Sequence, residues 1–381
     1  MPVPTITTAP FPVLQPESGI VSGSAYLPAS PENVLWGRLP SRGDAPVLTV
    51  APGQTIVVDT VSHEGMMSDQ GSDPLGYFRH HGVPAEDILS DTVDVAGRVT
   101  RSDADGPHIV TGPIAVAGAL PGDLLAVRID KLSMRVPYGV ISTRHAKGVL
   151  SGDSGLDGTY SQFCSVEERS GSWYGTMPLH PDAGAEKAAF PLAPFLGIMG
   201  VAADSDTRAH SVPPGLHGGN IDIKVLTEGA TLYLPVQVPD ALFYIGDPHY
   251  AQGNGEVALT ALEAPLRATL TVRLVPAADI GSRLAGVAGP FATAGDLLVP
   301  TGLHEDLNVA LRHCVTNGIE LLTGLFGMER RLAYLYLSAA ADFQISQAVD
   351  QVRGVHGQIR VSDFPALSRT PLGRTLLGPL A

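Results

Sequence analysis

The stretch LRATLTVRLV, Leu266–Val275, alternates apolar and polar side chains along its whole length. That spacing puts Leu266, Ala268, Leu270, Val272 and Leu274 on one face of a strand and Arg267, Thr269, Thr271 and Arg273 on the other. The same reading fits NIDIKVL (Asn220–Leu226), where Ile221, Ile223 and Val225 alternate with Asp222 and Lys224. TIVVDTV from Thr55, DLLAVRIDKL from Asp123, TLYLPVQVP from Thr231 and ALFYIGD from Ala241 are further strands, bounded by Gly, Pro or Asp. The 43 glycines and 32 prolines are spread along the chain, as many turns between short strands require. The tail differs. In EDLNVALRHCVTNGIELLTGLFG, Leu307, Leu311, Cys314, Leu321 and Leu325 recur at helical spacing, with Gly318 taking one place in the stripe. RRLAYLYLSAA from Arg330 and FQISQAVDQVRG from Phe343 continue as helices, the second capped by Asp342 and stopped by Gly354.

The 381 residues suffice for one large or two ordinary domains. A break between Ala146 and Pro191 divides the chain into a β-rich 1–150, a loop-rich insertion 151–190 and a β-rich 191–381 with a helical tail. Lys and Arg number 24 against 38 for Asp and Glu, and the formal charge of −14 argues against a nucleic-acid partner. No apolar run reaches the roughly 20 residues of a membrane span. With two cysteines and no leader-like start, the chain reads as cytoplasmic. Charged residues are 16%, below the roughly 25% usual for globular domains, which points to burial between subunits in a dimer or larger homo-oligomer.

The stretch GDPHYAQGNGE, Gly246–Glu256, gathers the chemistry. Asp247 and His249 share a face of an extended chain, and the turn at Gly253-Asn254-Gly255 lets Glu256 return toward them. In HGGNIDIK (His217–Lys224) Asn220 and Asp222 share a face in the same way. The plainer reading has Asp247 capping a turn, Glu256 solvated and Asp222 on an exposed face. Neighbouring His63 and Glu64 in SHEGMMSDQG point apart in a strand but not in a loop; decoration of a surface loop together with Asp69 fits equally well. His80 and His81 read as a surface helix end, and His145 and Lys147 as an exposed loop. Cys164 and Cys314 lack a nucleophile motif, and no nucleophile elbow, Walker loop or Rossmann fingerprint is present.

Four blocks resemble the acetamidase/formamidase family: TGPIAVAGALPGDLLAVRI (Thr111–Ile129), PLAPFLGIMGVA (Pro191–Ala202), His217–Val257 and the tail YLYLSAAADFQISQ. The resemblance implies a mainly β (α+β) fold with sandwich or jelly-roll-like and barrel parts, C-terminal helices packed on them, and hydrolysis of a small amide. It carries Asn220, Asp222, Asp247, His249, Gln252, Gly253, Gly255 and Glu256 into the active region. Three positions depart: Pro248 replaces a small residue or Cys, Tyr250 an Ala, and Asn254 an Asp. On this reading His249 with Asp222 or Asp247, joined by His217 or His63, holds a divalent metal, zinc or alternatively calcium. Glu256 is the base, and Asn220 or Gln252 orients the amide. A non-catalytic β-sandwich binding a small ligand or metal is the competing reading.

Overall fold

A computed structural model describes residues 11–19, 25–144, 147–156, 158–180, 186–365 and 369–377. His145, read above as part of an exposed loop, lies outside them. In chain order the strands are β1 (Ala25–Leu27), β2 (Val34–Trp36), β3 (Leu48–Val50), β4 (Thr55–Asp59), β5 (Ile109–Val116), β6 (Leu124–Met134), β7 (Tyr138–Ser142), β8 (Ser161–Arg169), β9 (Ser172–Pro178), β10 (Lys187–Pro191), β11 (Phe195–Gly200), β12 (Gly218–Asn220), β13 (Thr231–Pro235), β14 (Phe243–Ala251), β15 (Leu262–Glu263), β16 (Leu266–Val275), β17 (Phe291–Ala294), β18 (Leu297–His304), β19 (Asp342–Gln347) and β20 (Arg353–Arg360). The helices are α1 (Pro74–His80), α2 (Ser90–Arg98), a short α3 (Ala277–Ile280), α4 (Leu307–Phe326), α5 (Arg330–Ala340) and α6 (Pro371–Leu377). No helix among the described residues is long and apolar enough to cross a membrane.

Two sheets form the body. The first runs β1-β4-β16-β6-β13-β17-β18-β20-β19, and the second β10-β9-β8-β7-β15-β14-β11-β12, with β5 also paired to β14 and carrying β2 and β3. β16 lies between β4 and β6, antiparallel to both, and its alternation sends Leu266, Ala268, Leu270 and Val272 fully into the core. Arg267 on its other face is buried as well, because it forks onto both oxygens of Asp59. The main core lies between the sheets, where Ile56, Val58, Val127, Ile129 and Leu270 meet Ile114, Leu196, Met199, Phe243 and Ile245. β6 begins as an unbroken apolar run because both its faces are covered: Leu125 and Val127 face that core, while Leu124 and Ala126 face a second one under α4.

α4 is fixed at both ends. The Asp306 carboxylate accepts from the N–H groups of Asn308 and Val309, and Gly327 closes the helix in the left-handed region at φ +71°. The helix packs so closely on β18 that a Cβ on Gly302 would stand 2.1 Å from the Ala310 carbonyl oxygen. Cys314, Gly318, Leu321 and Leu325 are buried as the stripe requires, but Leu311 is 41% exposed.

The structure corrects four further expectations. Among the described residues neither sheet closes into a barrel. FQISQAVDQVRG is not a helix: Phe343–Gln347 belongs to β19, which pairs antiparallel with β20, and Phe343 lies over the bare Cα of Gly357. Backbone pairing with an available sheet edge outweighs local helical preference there. NIDIKVL is not a strand beyond Asn220: Ile221 and Ile223 are buried, but Asp222 takes φ +46° and the N–H groups of Ile221 and Asp222 both bond to the Gly197 carbonyl. Within 151–190, where loops were expected, β8 and β9 form a hairpin.

Candidate active site

β14 carries the centre of the site. Asp247 and His249 fall on one side of it, with Asp247 Oδ2 3.2 Å from His249 Nε2. The strand is irregular on both flanks: its register with β5 shifts between Phe243 and Ile245, and with β15 between His249 and Ala251. Asp247 itself sits at φ +49°. Such shifts re-aim side chains, and here they place His249 directly across from Glu263 of β15, whose Oε1 is 3.0 Å from His249 Nε2. Phe195 of β11, opposite His249, meets its ring edge-on at 5.0 Å.

Gln252 fixes the imidazole. Its NH₂ group donates to the carbonyls of Asp222 and Ser346, so its Oε1, 3.1 Å from His249 Nδ1, is left to accept. The proton therefore resides on Nδ1, and in neutral imidazole Nε2 presents a lone pair toward two carboxylates. Neither carboxylate is aligned to hydrogen-bond with it.

Other segments converge on the same place. The buried loop after β12 delivers Asp222, whose Oδ1 is 3.9 Å from His249 Nδ1 and whose two oxygens have no hydrogen-bond partner. Gly197 makes room: a Cβ there would lie 2.5 Å from Asp222 Oδ1, 2.6 Å from Asp247 Oδ2 and 2.7 Å from His249 Cε1. Glu256 follows β14 in a turn at φ +46°, held because Gly255 exchanges backbone hydrogen bonds with Ser346 and Ala348 beyond it. Asp350, in the β19–β20 connection, reaches the cluster from the same direction. Asp222, Asp247 and Glu256 thus all hold a left-handed backbone, a strain of order 1–3 kcal/mol each that concentrates at functional sites.

Potential ligand atoms lie within 4.8 Å of one another in the sets Asp222/Asp247/His249, His63/Asp247/Glu263, His249/Glu256/Glu263 and Asp222/Glu256/Asp350, every residue buried. His63 comes from a buried loop, 3.4 Å from Glu64, whose carboxylate is gripped by Arg144 at 2.6 Å. His108 stands behind, with its Nε2 3.9 Å from Asp247 Oδ1.

Burial dominates the electrostatics. It pushes Glu263 up to about 7 and Asp350 up to about 8. Asp222 and Glu256 also rise well above the carboxylate range, from burial first and from neighbouring carboxylates. Burial opposes the charge on Asp247 and on His249 too, but Asp247 is held below its usual range by His108 and His249, and His249 well above its own by Glu263 and Asp247. Burial keeps His108 down at about 4. Glu64 is held at about 2 against its burial by His63 and Arg144.

Of the residues singled out from the sequence, Asp222, Asp247, His249, His63 and Glu256 come together. His217 does not join them; it packs on the glycines at 215 and 219, and burial alone lowers it to about 4. Asn220 is buried in β12 with its Oδ1 unpaired. Asp69 ties Arg144 at 2.5 Å, and His80 and His81 are exposed at the end of α1. Glu263, Asp350 and His108 were not anticipated. The departure at Tyr250 turns away from the cluster: its hydroxyl is fully buried beside the carbonyls of Val136 and Pro265, each at 2.9 Å, while Pro248 pairs with Leu196 of β11. Asn254 bonds to Gln344.

A cavity of about 970 Å³ adjoins the cluster, with Glu256, Gln252 and Asn254 among its lining residues. Asn220 is not one of them.

Comparison with known proteins finds amidases. The profile of the Acetamidase/Formamidase family matches residues 201–359, which include the loop of Asp222, all of β14, Glu256, Glu263 and Asp350. The chain is 28% identical to the formamidase of Methylophilus methylotrophus over 319 residues, 68% of this chain and 77% of that protein. It is 31% identical to the acetamidase of Mycolicibacterium smegmatis over 214 residues, 43% of this chain and about half of that protein, at 52%. A crystal structure of a predicted acetamidase/formamidase from the thermophile Thermoanaerobacter tengcongensis superposes with a TM-score of 0.68 over 88% of this chain and 95% of that one, at 24% identity, a likeness that speaks for the fold. The chain is thus similar to the acetamidase/formamidase family over residues 201–359 and to a formamidase over most of its length, and these sequence matches support an amidase.

Proposed function

We propose that the protein hydrolyses a linear carboxamide to a carboxylate and ammonia with the help of one divalent cation held by His249, Asp222 and Asp247, with His63 and Glu263 at its border. The observation that carries the reading is His249 Nε2. Gln252 turns it, as a lone pair, toward Asp247 and Glu263 at 3.2 and 3.0 Å, an arrangement that only a proton or a cation satisfies. The orphaned oxygens of Asp222, Asp247 and Glu263 fit the same demand. An imidazole with carboxylates suits zinc, whereas the all-oxygen corner of Asp222, Glu256 and Asp350 would suit calcium.

When bound, such an ion supplies Lewis-acid polarisation of the amide oxygen and makes water acidic near neutral pH. The chain's own residues do the rest. Glu256 lies at the meeting of cluster and cavity, where it takes a proton from the attacking water and returns it to the departing nitrogen. Its raised affinity for protons suits that exchange. Gln252 has all its hydrogen-bonding groups engaged within the protein, so it orients His249 and not the substrate. Bond making and breaking balance: water adds at the carbonyl carbon, the C–N bond breaks, and the nitrogen leaves with the transferred proton.

The test is ammonia and carboxylate release, in equal amounts, from a panel of primary amides starting at formamide. Glu256→Gln should retain the fold and lose turnover. Absence of ammonia from every amide in the panel would refute hydrolysis.

A further inference from the structure

The cavity beyond Glu256 is much larger than the smallest amides need. Its 970 Å³ stands at the upper end of the roughly 300–1,000 Å³ that hold drug-sized ligands. Its walls are apolar: Ile141 of β7, Phe190 of β10, Val225, Leu262 of β15, Ala294 of β17 and Leu297 of β18. Apart from Glu256, the charged lining residues are Lys224 and Glu228, which are opposite in sign, and a Glu228 oxygen already accepts from the Leu132 N–H at 2.7 Å. The lining therefore selects for no net charge. Beside Glu256 the apolar surface continues outward. Val257 is 63% exposed and its carbonyl accepts from the Val149 N–H, which fixes Val149 and Leu150, each 54% exposed, next to it. An amide of a few heavy atoms would touch the Glu256 end and leave these walls in water.

From this we infer that the amide cleaved here bears an extended, uncharged apolar acyl group, seated along Phe190, Leu262, Ala294 and Leu297 while its carbonyl meets the acidic cluster. The inference rests on the amidase reading for its chemistry, but the seat itself is a binding claim that can be measured apart from turnover. Burial of each methylene contributes about 0.8 kcal/mol, or about 4-fold, so kcat/KM climbs with chain length until the walls are filled.

The experiment uses the full chain with formamide, acetamide, butyramide and hexanamide. Ammonia release gives kcat/KM, and calorimetric titration of the same amides gives affinity. The expected result is a rise of about 4-fold per methylene from acetamide onward in both measurements. A flat or falling series beyond acetamide overturns the inference and leaves hydrolysis intact. If no amide releases ammonia, hydrolysis fails; the seat then stands if hexanamide binds more tightly than acetamide and falls if it does not. Ala294→Trp fills part of the cavity and should lower the hexanamide-to-acetamide ratio of kcat/KM at least about 10-fold, the worth of roughly two methylenes. That ratio is taken within one preparation, so partial unfolding does not imitate the effect, and an unchanged ratio would place the acyl group elsewhere.

Discussion

Two buried charged clusters in this molecule are built on opposite principles. Around Arg135 the charges balance: its guanidinium lies 2.8 Å from Asp91 and 3.5 Å from Asp59, and Arg267 reaches Asp59 at 2.6 Å. Two acids face two permanent cations, and the Tyr26 hydroxyl adds a hydrogen bond to Asp59. Around His249 five buried carboxylates, those of Asp222, Asp247, Glu256, Glu263 and Asp350, converge, and among the described residues none of them pairs with a lysine or arginine. A compensated cluster ties the N-terminal segment and α2 to the sheet. An uncompensated one opposes folding, and such a cost persists where chemistry needs it.

The largest effect expected from this contrast falls on His249. Replacing it with Ala removes the imidazole on which the carboxylates centre, and ammonia release should fall by about 10⁴-fold or more, the scale of the several kcal/mol that a Lewis acid contributes. Bound metal, measured alongside, should fall too. Glu256→Gln should reduce kcat by about 10²–10⁴-fold while bound metal is retained, because it removes proton transfer alone.

Stability should separate the clusters further. Arg135→Met leaves Asp91 and Asp59 short of a partner and should cost about 3–5 kcal/mol in urea unfolding. In metal-stripped protein the acidic cluster should make stability fall as pH rises. The Asp350 carboxyl, ordinarily near 3.8, is held at about 8 in the folded state by burial, so between those values the folded chain keeps a proton that the unfolded chain has released. Unfolding midpoints should therefore decline from about pH 4 to pH 8, and Asp350→Asn should flatten that decline. An unchanged slope would mean the carboxylates are compensated after all. The smallest effect should come from Gln252→Leu, which frees the His249 ring and should weaken cation affinity by about 10–100-fold, read by titration with zinc.

Much of this was legible in the chain. Period-two patterning gave β16, strand-like segments bounded by Gly, Pro or Asp gave β4, β6, β13 and β14, and the pair Asp247 and His249 was recognisable because residues two apart on a strand share a face. What stayed hidden depended on pairing between distant segments. Glu263 joins the site only because β15 is in register with His249, and nothing local in ALEAPL signals it. Asp350 was concealed by the helical look of FQISQAVDQVRG; once that segment pairs with β20, its connection swings toward Asp222. Asp222 reaches the cluster through a left-handed backbone in a loop that alternation had presented as a strand. His217 shows the converse: named as a possible partner of His249, it packs instead on the glycines at 215 and 219.

The most direct measurement is the metal content of the purified protein against its activity. Dialysis against a strong chelator should bring ammonia release to background. Added zinc should restore it as binding saturates near one ion per chain, with no such recovery in His249→Ala. Full amide hydrolysis by protein freed of every divalent cation would contradict the assignment of the acidic cluster as a cation site.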